Sequence, residues 1–340
     1  MKHLIRFKAP RTIWVVALTA VVAGIVAVPG QASYPSKVKR PTLQYGDLTI
    51  TGTKGSDKLT LRLQAGDPST IQVDVGDDGS ADFSFARSDV AKITVRAKAG
   101  NDLVRIDESN GLFTDSIPTT IDGGDGNDTM AGGKGNETLL GGRGNDSIDG
   151  NGGNDRALLG AGNDTFVWDP GDGSDTLEGQ RGVDTMLFNG ANGSEHVDLS
   201  ANGNRLRFFR DAGTITMDTA GIERVVFNAL GGADVITVND LTGTDVTQVN
   251  LNLANPLGSA LGDGQADQVV VNGTAGDDDI VITGSAGNVD VKGLFAAVAI
   301  VHAEFANDRL DINTLAGNDT VDTSGLAPGV IQLFVDGVPV

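Results

Sequence analysis

The sequence predicts an all-β fold of the solenoid kind, in which short strands stack rung upon rung, and three observations predict it. A nine-residue period runs through GGDGNDTMA (123–131), GGKGNETLL (132–140), GGRGNDSID (141–149), GNGGNDRAL (150–158) and LGAGNDTFV (159–167). Its acid recurs at Asp128, Glu137, Asp146, Asp155 and Asp164, and five consecutive units in register mark a repeat architecture. The chain also carries 48 glycines in 340 residues, about twice the ordinary usage of roughly 7%, which leaves little room for helices. Aromatic residues make up only 5%; a thick globular core is poorly supplied, whereas a solenoid needs only small aliphatic side chains.

Residues 1–32 read as a signal peptide. Lys2, Arg6, Lys8 and Arg11 form a basic region, an uncharged run follows over 12–28, and Gly30, Gln31 and Ala32 offer a cleavage site after Ala32. The competing reading is an uncleaved anchor, in which case the chain touches a membrane only through this leader; both readings predict export. Residues 33–42 form a linker. Residues 43–116 form a degenerate β repeat unit, in which DLTITGTKGSDKLTLRL (47–63) alternates apolar and polar positions on both sides of a turn. Residues 117–189 hold the dense array, and 190–340 hold further degenerate units. VNGTAGDDDIVI (271–282) repeats the order of the first unit, and KAGNDLVRI (98–106), LGGADVITV (230–238) and LAGNDTVDT (315–323) share a second turn element.

Charge narrows the partners. The formal net charge is −20, and loss of the leader leaves 21 Lys+Arg against 45 Asp+Glu. Nucleic acid is therefore not an expected partner, whereas multivalent hard cations are. With no cysteine, disulfides and thiolate metal sites are excluded. The motifs H-E-x-x-H, G-x-S-x-G and G-x-x-x-x-G-K-[ST] are absent, and His196 and His302 stand alone in the sequence. The acids are accounted for by the repeat, so no enzyme is expected.

Each nonamer specifies a loop and a core position together. Glycines allow left-handed backbone in a tight turn, which lets carbonyl oxygens converge, and the acid adds a carboxylate. Oxygen-only ligation suits Ca²⁺ better than zinc or copper. The candidate metal turns are Gly124, Gly126 and Asp128; Gly133, Gly135 and Glu137; Gly142, Gly144 and Asp146; Gly153 and Asp155; Gly162 and Asp164. Two positions beyond each acid, Met130, Leu139, Ile148, Ala157 and Phe166 are placed to point inward. Phe166 and Trp168 share one side of a strand and read as a core plug.

The array resembles the repeats-in-toxin (RTX), or haemolysin-type, calcium-binding repeat family. That resemblance implies a right-handed parallel β-roll with two nonamers per turn and Ca²⁺ held between loops eighteen residues apart. Asp128, Asp146 and Asp164 would line one edge, and Glu137 and Asp155 the other. Three departures are visible. The register breaks over 168–188, where Asp175 follows Asp164 by eleven residues, so a bulged turn is expected at WDPGDGSD; Glu137 is a longer acid; and Asn151 and Leu159 replace glycines, so a distorted loop is expected near Asn151. Many family members carry a C-terminal secretion signal, whereas this chain has an N-terminal leader. The expected function is an exported calcium-binding protein that folds or rigidifies outside the cell. The alternatives are a calcium-stabilised surface adhesin or spacer with an extracellular partner, and a secreted hydrolase with the roll as accessory module.

Overall fold

A computed structural model describes residues 38–340; the expected leader, its cleavage site and residues 33–37 of the linker lie outside them. The described chain is all-β with long parallel sheets, as a β-roll requires. Strands alternate strictly between two sheets in the array: Thr119–Asp125, then Thr129–Ala131, then Thr138–Arg143, then Ser147–Asp149. Each pairs in parallel with the strand two elements on. Leu139 lies beside Ile121 on one side and Ala157 on the other, and Ile148 lies between Met130 and Phe166. Two nonamers thus complete one circuit. The inward residues Met130, Leu139, Ile148, Ala157 and Phe166 are all buried.

The break in sequence register over 168–188 does not shift the strands. Arg156 pairs with Thr176 and Thr165 with Thr185, so the rung has twenty residues and the two extra ones are taken up in a turn. There the Trp168 indole N–H donates to the Gly173 carbonyl at 2.8 Å and the Asp172 N–H to that of Asp169 at 3.1 Å. The bulge is local because strand pairing and core contacts on either side oppose a slip, which would turn every side chain to the other face.

Outside the array the chain widens one sheet at a time. After Thr185–Asn189 it runs through an antiparallel meander, His196–Asn202, Arg205–Arg210 and Ile215–Ala220, that stays within the first sheet. A second meander, Asp279–Ser285, Asn288–Lys292 and Ala297–Val301, stays within the second. Each adds two strands to its own sheet, and the sheets end nearly matched, with 15 and 14 strands among the described residues. Both run without interruption past residues 116 and 190. No helix among the described residues is long and apolar enough to cross a membrane.

Side-chain ladders hold the C-terminal half. Asn228 donates to Asn189 at 2.7 Å, Asn252 to Asn228 at 3.0 Å, and His302 Nδ1 lies 2.8 Å from the Asn252 oxygen. A parallel set runs Asn313, Asn272, Asn239, Asp198 with 2.8 Å steps. His302 therefore ends a ladder, and His196 gains in space the acid that the sequence did not show, Asp211 at 2.9 Å.

The core changes character along the roll. In the array it holds one or two inward side chains per strand, aliphatic or methionine until Phe166 and Trp168; where the first meander begins it is aromatic. Trp168 stacks on Phe188 with centroids 3.9 Å apart and planes 6° apart, and Phe208 and Phe227 close around Phe188. All four are fully buried. Phe188 touches each of the other rings, so Phe188→Ala leaves a cavity that no neighbour can fill. It is expected to cost about 3–5 kcal/mol of unfolding free energy, read as a lower urea midpoint at unchanged slope with calcium held saturating.

Candidate metal centre

The acids of the repeat stand in two columns, one at each edge of the roll. Asp102, Asp128, Asp146, Asp164 and Asp184 each precede a strand of the second sheet; Glu137, Asp155 and Asp175 each precede a strand of the first. Within a column every carboxylate except that of Glu137, which heads its column, is tied to the rung before it. The Asp102 N–H donates to Asp128 Oδ1 at 2.8 Å, Asp128 N–H to Asp146 at 2.8 Å, Asp146 N–H to Asp164 at 2.7 Å and Asp164 N–H to Asp184 at 2.9 Å. On the other edge Glu137 N–H donates to Asp155 at 2.6 Å and Asp155 N–H to Asp175 at 2.8 Å. The structure thus brings Asp128, Asp146 and Asp164 into one column and Glu137 and Asp155 into the other.

One oxygen of each aspartate is occupied and the other is not. Oδ2 of Asp102, Asp128, Asp146, Asp155, Asp164, Asp175 and Asp184 is buried without a hydrogen-bond donor, although these side chains are no more than 3% exposed. Among the described residues no basic side chain forms an ion pair with them. A buried carboxylate so placed is costly unless a proton or a cation neutralises it. Burial, reinforced by neighbouring acid charges, pushes Asp102, Asp146, Asp175 and Asp184 up to about 7 and Asp155 to about 9. Burial raises Asp128, Glu137 and Asp164 as well.

Glycine carbonyls complete the edge. Gly142 and Gly144 have φ of 111° and 121°, a left-handed region in which other L residues are strained. A Cβ on either would run into the carbonyl oxygen of Gly124 or Gly126, one rung away. Gly126, Gly153 and Gly162 meet carbonyls of their neighbouring rung in the same way. Among the described residues no three His, Cys, Asp or Glu side chains converge on one point, because each rung supplies one acid per edge. Any cation held here takes its remaining ligands from main-chain oxygen, a donor set that fits calcium.

The turns come in two forms. In the open form the residue four before the acid is left-handed and its N–H does not cap that acid. Lys98 (φ 86°), Gly124 (104°), Gly142, Gly160 (116°) and Gln180 (75°) play this part on one edge, and Asn151 (55°) and Gly171 (117°) on the other. In the closed form that residue's N–H caps the acid of its own turn: Thr53 to Asp57 at 2.6 Å, Gly133 to Glu137 at 2.8 Å, Ala191 to Glu195 at 3.0 Å; Glu137 Oε1 and Glu195 Oε2 are nonetheless buried without a donor. The loop at Asn151 is therefore not distorted, since asparagine tolerates the left-handed state that glycine takes elsewhere. Turn 132–137 is the one that differs. Its Gly133 and Gly135 are not among the left-handed glycines, and it packs on Thr114, whose hydroxyl accepts from Lys134 and Gly135 N–H.

Two kinds of residue escaped the candidate set. The glycine that opens each of the first four units has the acid lying against it: a Cβ on Gly141 would stand 2.7 Å from Asp146 Oδ2, and one on Gly123 2.5 Å from Asp128 Oδ2. The asparagine before each acid forms a second ladder of opposite sense, with Asn127 N–H donating to Asn101 Oδ1 at 2.9 Å and Asn145 N–H to Asn127 at 2.8 Å. Asn127, Asn136, Asn145, Asn154 and Asn163 recur every nine residues, so the signal was present in the period itself.

These raised carboxyls predict an inverted pH profile without metal. Their folded values lie above the ordinary 3.8, so the stability tied to their protonation is complete below that value and is lost as pH rises through about 7 to 9. Asp77 and Asp107, which are lowered, act in the opposite sense but titrate below that window. Thermal melts in chelator should give a higher midpoint at about pH 5 than at about pH 8, and saturating calcium should reverse the order. A metal-free midpoint that rises with pH across this range would contradict it.

Comparison with known proteins agrees with this geometry. The RTX calcium-binding nonapeptide repeat, in four copies, matches residues 120–136, 132–166 and 171–194. No curated protein matches the chain. Among solved structures, the extracellular lipase LipA from Serratia marcescens is 13% identical with a TM-score of 0.20, over 63% of this chain and 43% of that one. The chain thus spans less than half the length of that lipase. With its nonapeptides stacked rung on rung and an oxygen-only edge on each side, the stretch over 120–194 carries RTX-type calcium-binding nonapeptide repeats.

Proposed function

We propose that the protein is an exported, non-enzymatic calcium-binding protein whose roll folds or becomes rigid when calcium is met outside the cell. The observation that carries this reading is the column of buried aspartates, each held by one oxygen with the other unpaired. The ligands we assign are the carboxylates of Asp128, Asp146 and Asp164 on one edge and of Asp155 on the other, with main-chain oxygens of the left-handed turns at Gly124, Gly126, Gly142, Gly144, Gly153 and Gly162. Glu137 caps its own turn through Gly133 N–H and is assigned the end of its column.

The energetics favour a conditional fold. Near neutral pH the columns are like-charged and desolvated, which opposes stacking of the rungs. Calcium that binds only the stacked state contributes about 2.7 kcal/mol per site at a hundred times Kd, so a few sites outweigh a marginal metal-free fold. Extracellular modules commonly bind near 10⁻⁴ to 10⁻³ M, a range that leaves the array unloaded in a calcium-poor cytoplasm. The basic leader followed by an apolar run supports export.

Calcium titration of the leaderless protein should produce a saturable gain of far-UV β signal that magnesium does not reproduce. Replacing Asp128, Asp146 and Asp164 together by asparagine should lower the number of calcium ions bound and move the transition to higher calcium. An unchanged stoichiometry would sink the ligand assignment, and a β signal indifferent to calcium would sink the conditional fold.

A further inference from the structure

The open turn recurs beyond the nonapeptide match. In turn 229–234, Leu230 (φ 66°) and Gly232 (φ 121°) occupy the second and fourth positions in the left-handed state, as Gly142 and Gly144 do in the array. Leucine has no conformational reason to be there. The acid that follows, Asp234, is 1% exposed. Its Oδ1 accepts the Glu195 N–H at 2.8 Å, and its Oδ2 is buried without a donor.

The neighbouring rungs differ in how their charge is met. Glu195, one rung before, also has one oxygen, Oε2, buried without a donor, but its charge is met: Ala191 N–H and Arg210 both reach Oε1, the Arg210 Nε at 2.9 Å and its Nη2 in a second contact. That arginine is buried, with its guanidinium carbon 5.4 Å from the Trp168 ring centroid. One rung on, the surroundings are acidic. Asp263 Oδ2 accepts the Gly232 N–H at 3.1 Å, Asp267 Oδ1 accepts that of Asp234 at 2.9 Å, and Glu304 accepts that of Gly264 at 2.8 Å. No lysine, arginine or histidine forms an ion pair with Asp234, Asp263 or Asp267 among the described residues. The chain supplies its own cation at the closed turn and none at the open turn beside it.

We propose that turn 229–234 is a further divalent-cation site, with Asp234 Oδ2 as its buried ligand, Asp263 as a carboxylate ligand from the next rung and main-chain carbonyls of the turn as the rest. The proposal rests on the reading of the array, since the open form is recognised by its likeness to the nonapeptide turns. Its oxygen-only donor set favours calcium over magnesium, which holds its own water and demands octahedral geometry. The site clamps the C-terminal sheets to the rung at which Arg210 interrupts the metal-binding edge.

Calcium binding to the leaderless chain, counted by equilibrium dialysis and calorimetry, tests this. Asp234→Asn should bind one ion fewer than the unaltered protein while the array's ions remain. Asp263→Asn should weaken that same ion about tenfold, through the loss of one ligand charge. Leu230→Gly should keep the count and tighten this site by removing the strained backbone. A folded Asp234→Asn protein with an unchanged count overturns the proposal. Should that variant lack the normal far-UV spectrum, Asp263→Asn decides, and a titration identical to the unaltered protein's overturns the proposal equally. The array is read separately: an Asp128→Asn, Asp146→Asn, Asp164→Asn protein that keeps the full count refutes the array assignment, whereas loss of array ions with no effect at Asp234 refutes only this one.

Discussion

The rest of the structure depends on one buried carboxylate per turn, held by one main-chain N–H from the rung before. That bond, 2.6 to 2.9 Å long throughout the array, sets the stacking of successive loops as firmly as the strand pairing does. It also leaves the second oxygen without a partner in a place that water does not reach. Burying such a charge costs free energy that short strands with one or two inward side chains each do little to offset. The edge therefore requires neutralisation, and the fold is coupled to whatever supplies it.

The acid is met in three ways along one chain. Open turns leave its second oxygen without a donor. Closed turns at the starts of columns, as at Asp57 and Glu137, bring a main-chain N–H of the same turn to the acid. At Glu195 a buried arginine takes the place of a bound ion. The choice follows position: a turn with open neighbours on its edge shares its charge with the next rung, and a turn that begins a column closes on itself. Turn 132–137 shows the cause most directly, because the insertion at Glu108 and Thr114 covers it and supplies acceptors for Lys134 and Gly135 N–H.

The meanders answer a different constraint. Two extra strands in one sheet alone would leave the facing sheet too narrow to cover the core. The widening in the first sheet is met by large side chains, Trp168, Phe188, Phe208 and Phe227, and is later matched by a meander in the second sheet. Where the rungs lengthen beyond the nonapeptides, asparagine ladders replace the glycine-rich edge at the strand ends, as from Asn189 to Asn252.

The sequence by itself determined the repeat, the all-β class, the inward residues from Met130 to Phe166 and the acids of the two edges, because a period of nine with glycine, acid and aliphatic at fixed places specifies loop and strand locally. It did not determine which turns are open. Asn151 and Gln180 look like lost glycines and yet keep the left-handed turn, while Gly133, in a unit that looks intact, does not. The twenty-residue rung over 168–188 likewise read as a break, although the strands on both sides stay in register. Asp102 and Asp234 join the edges through turns that lie outside the dense period. These outcomes belong to the tertiary structure because the state of a turn depends on the rungs above and below it, which supply the N–H donors, the carbonyls and the charges, and those neighbours lie eighteen to thirty-nine residues away in the chain.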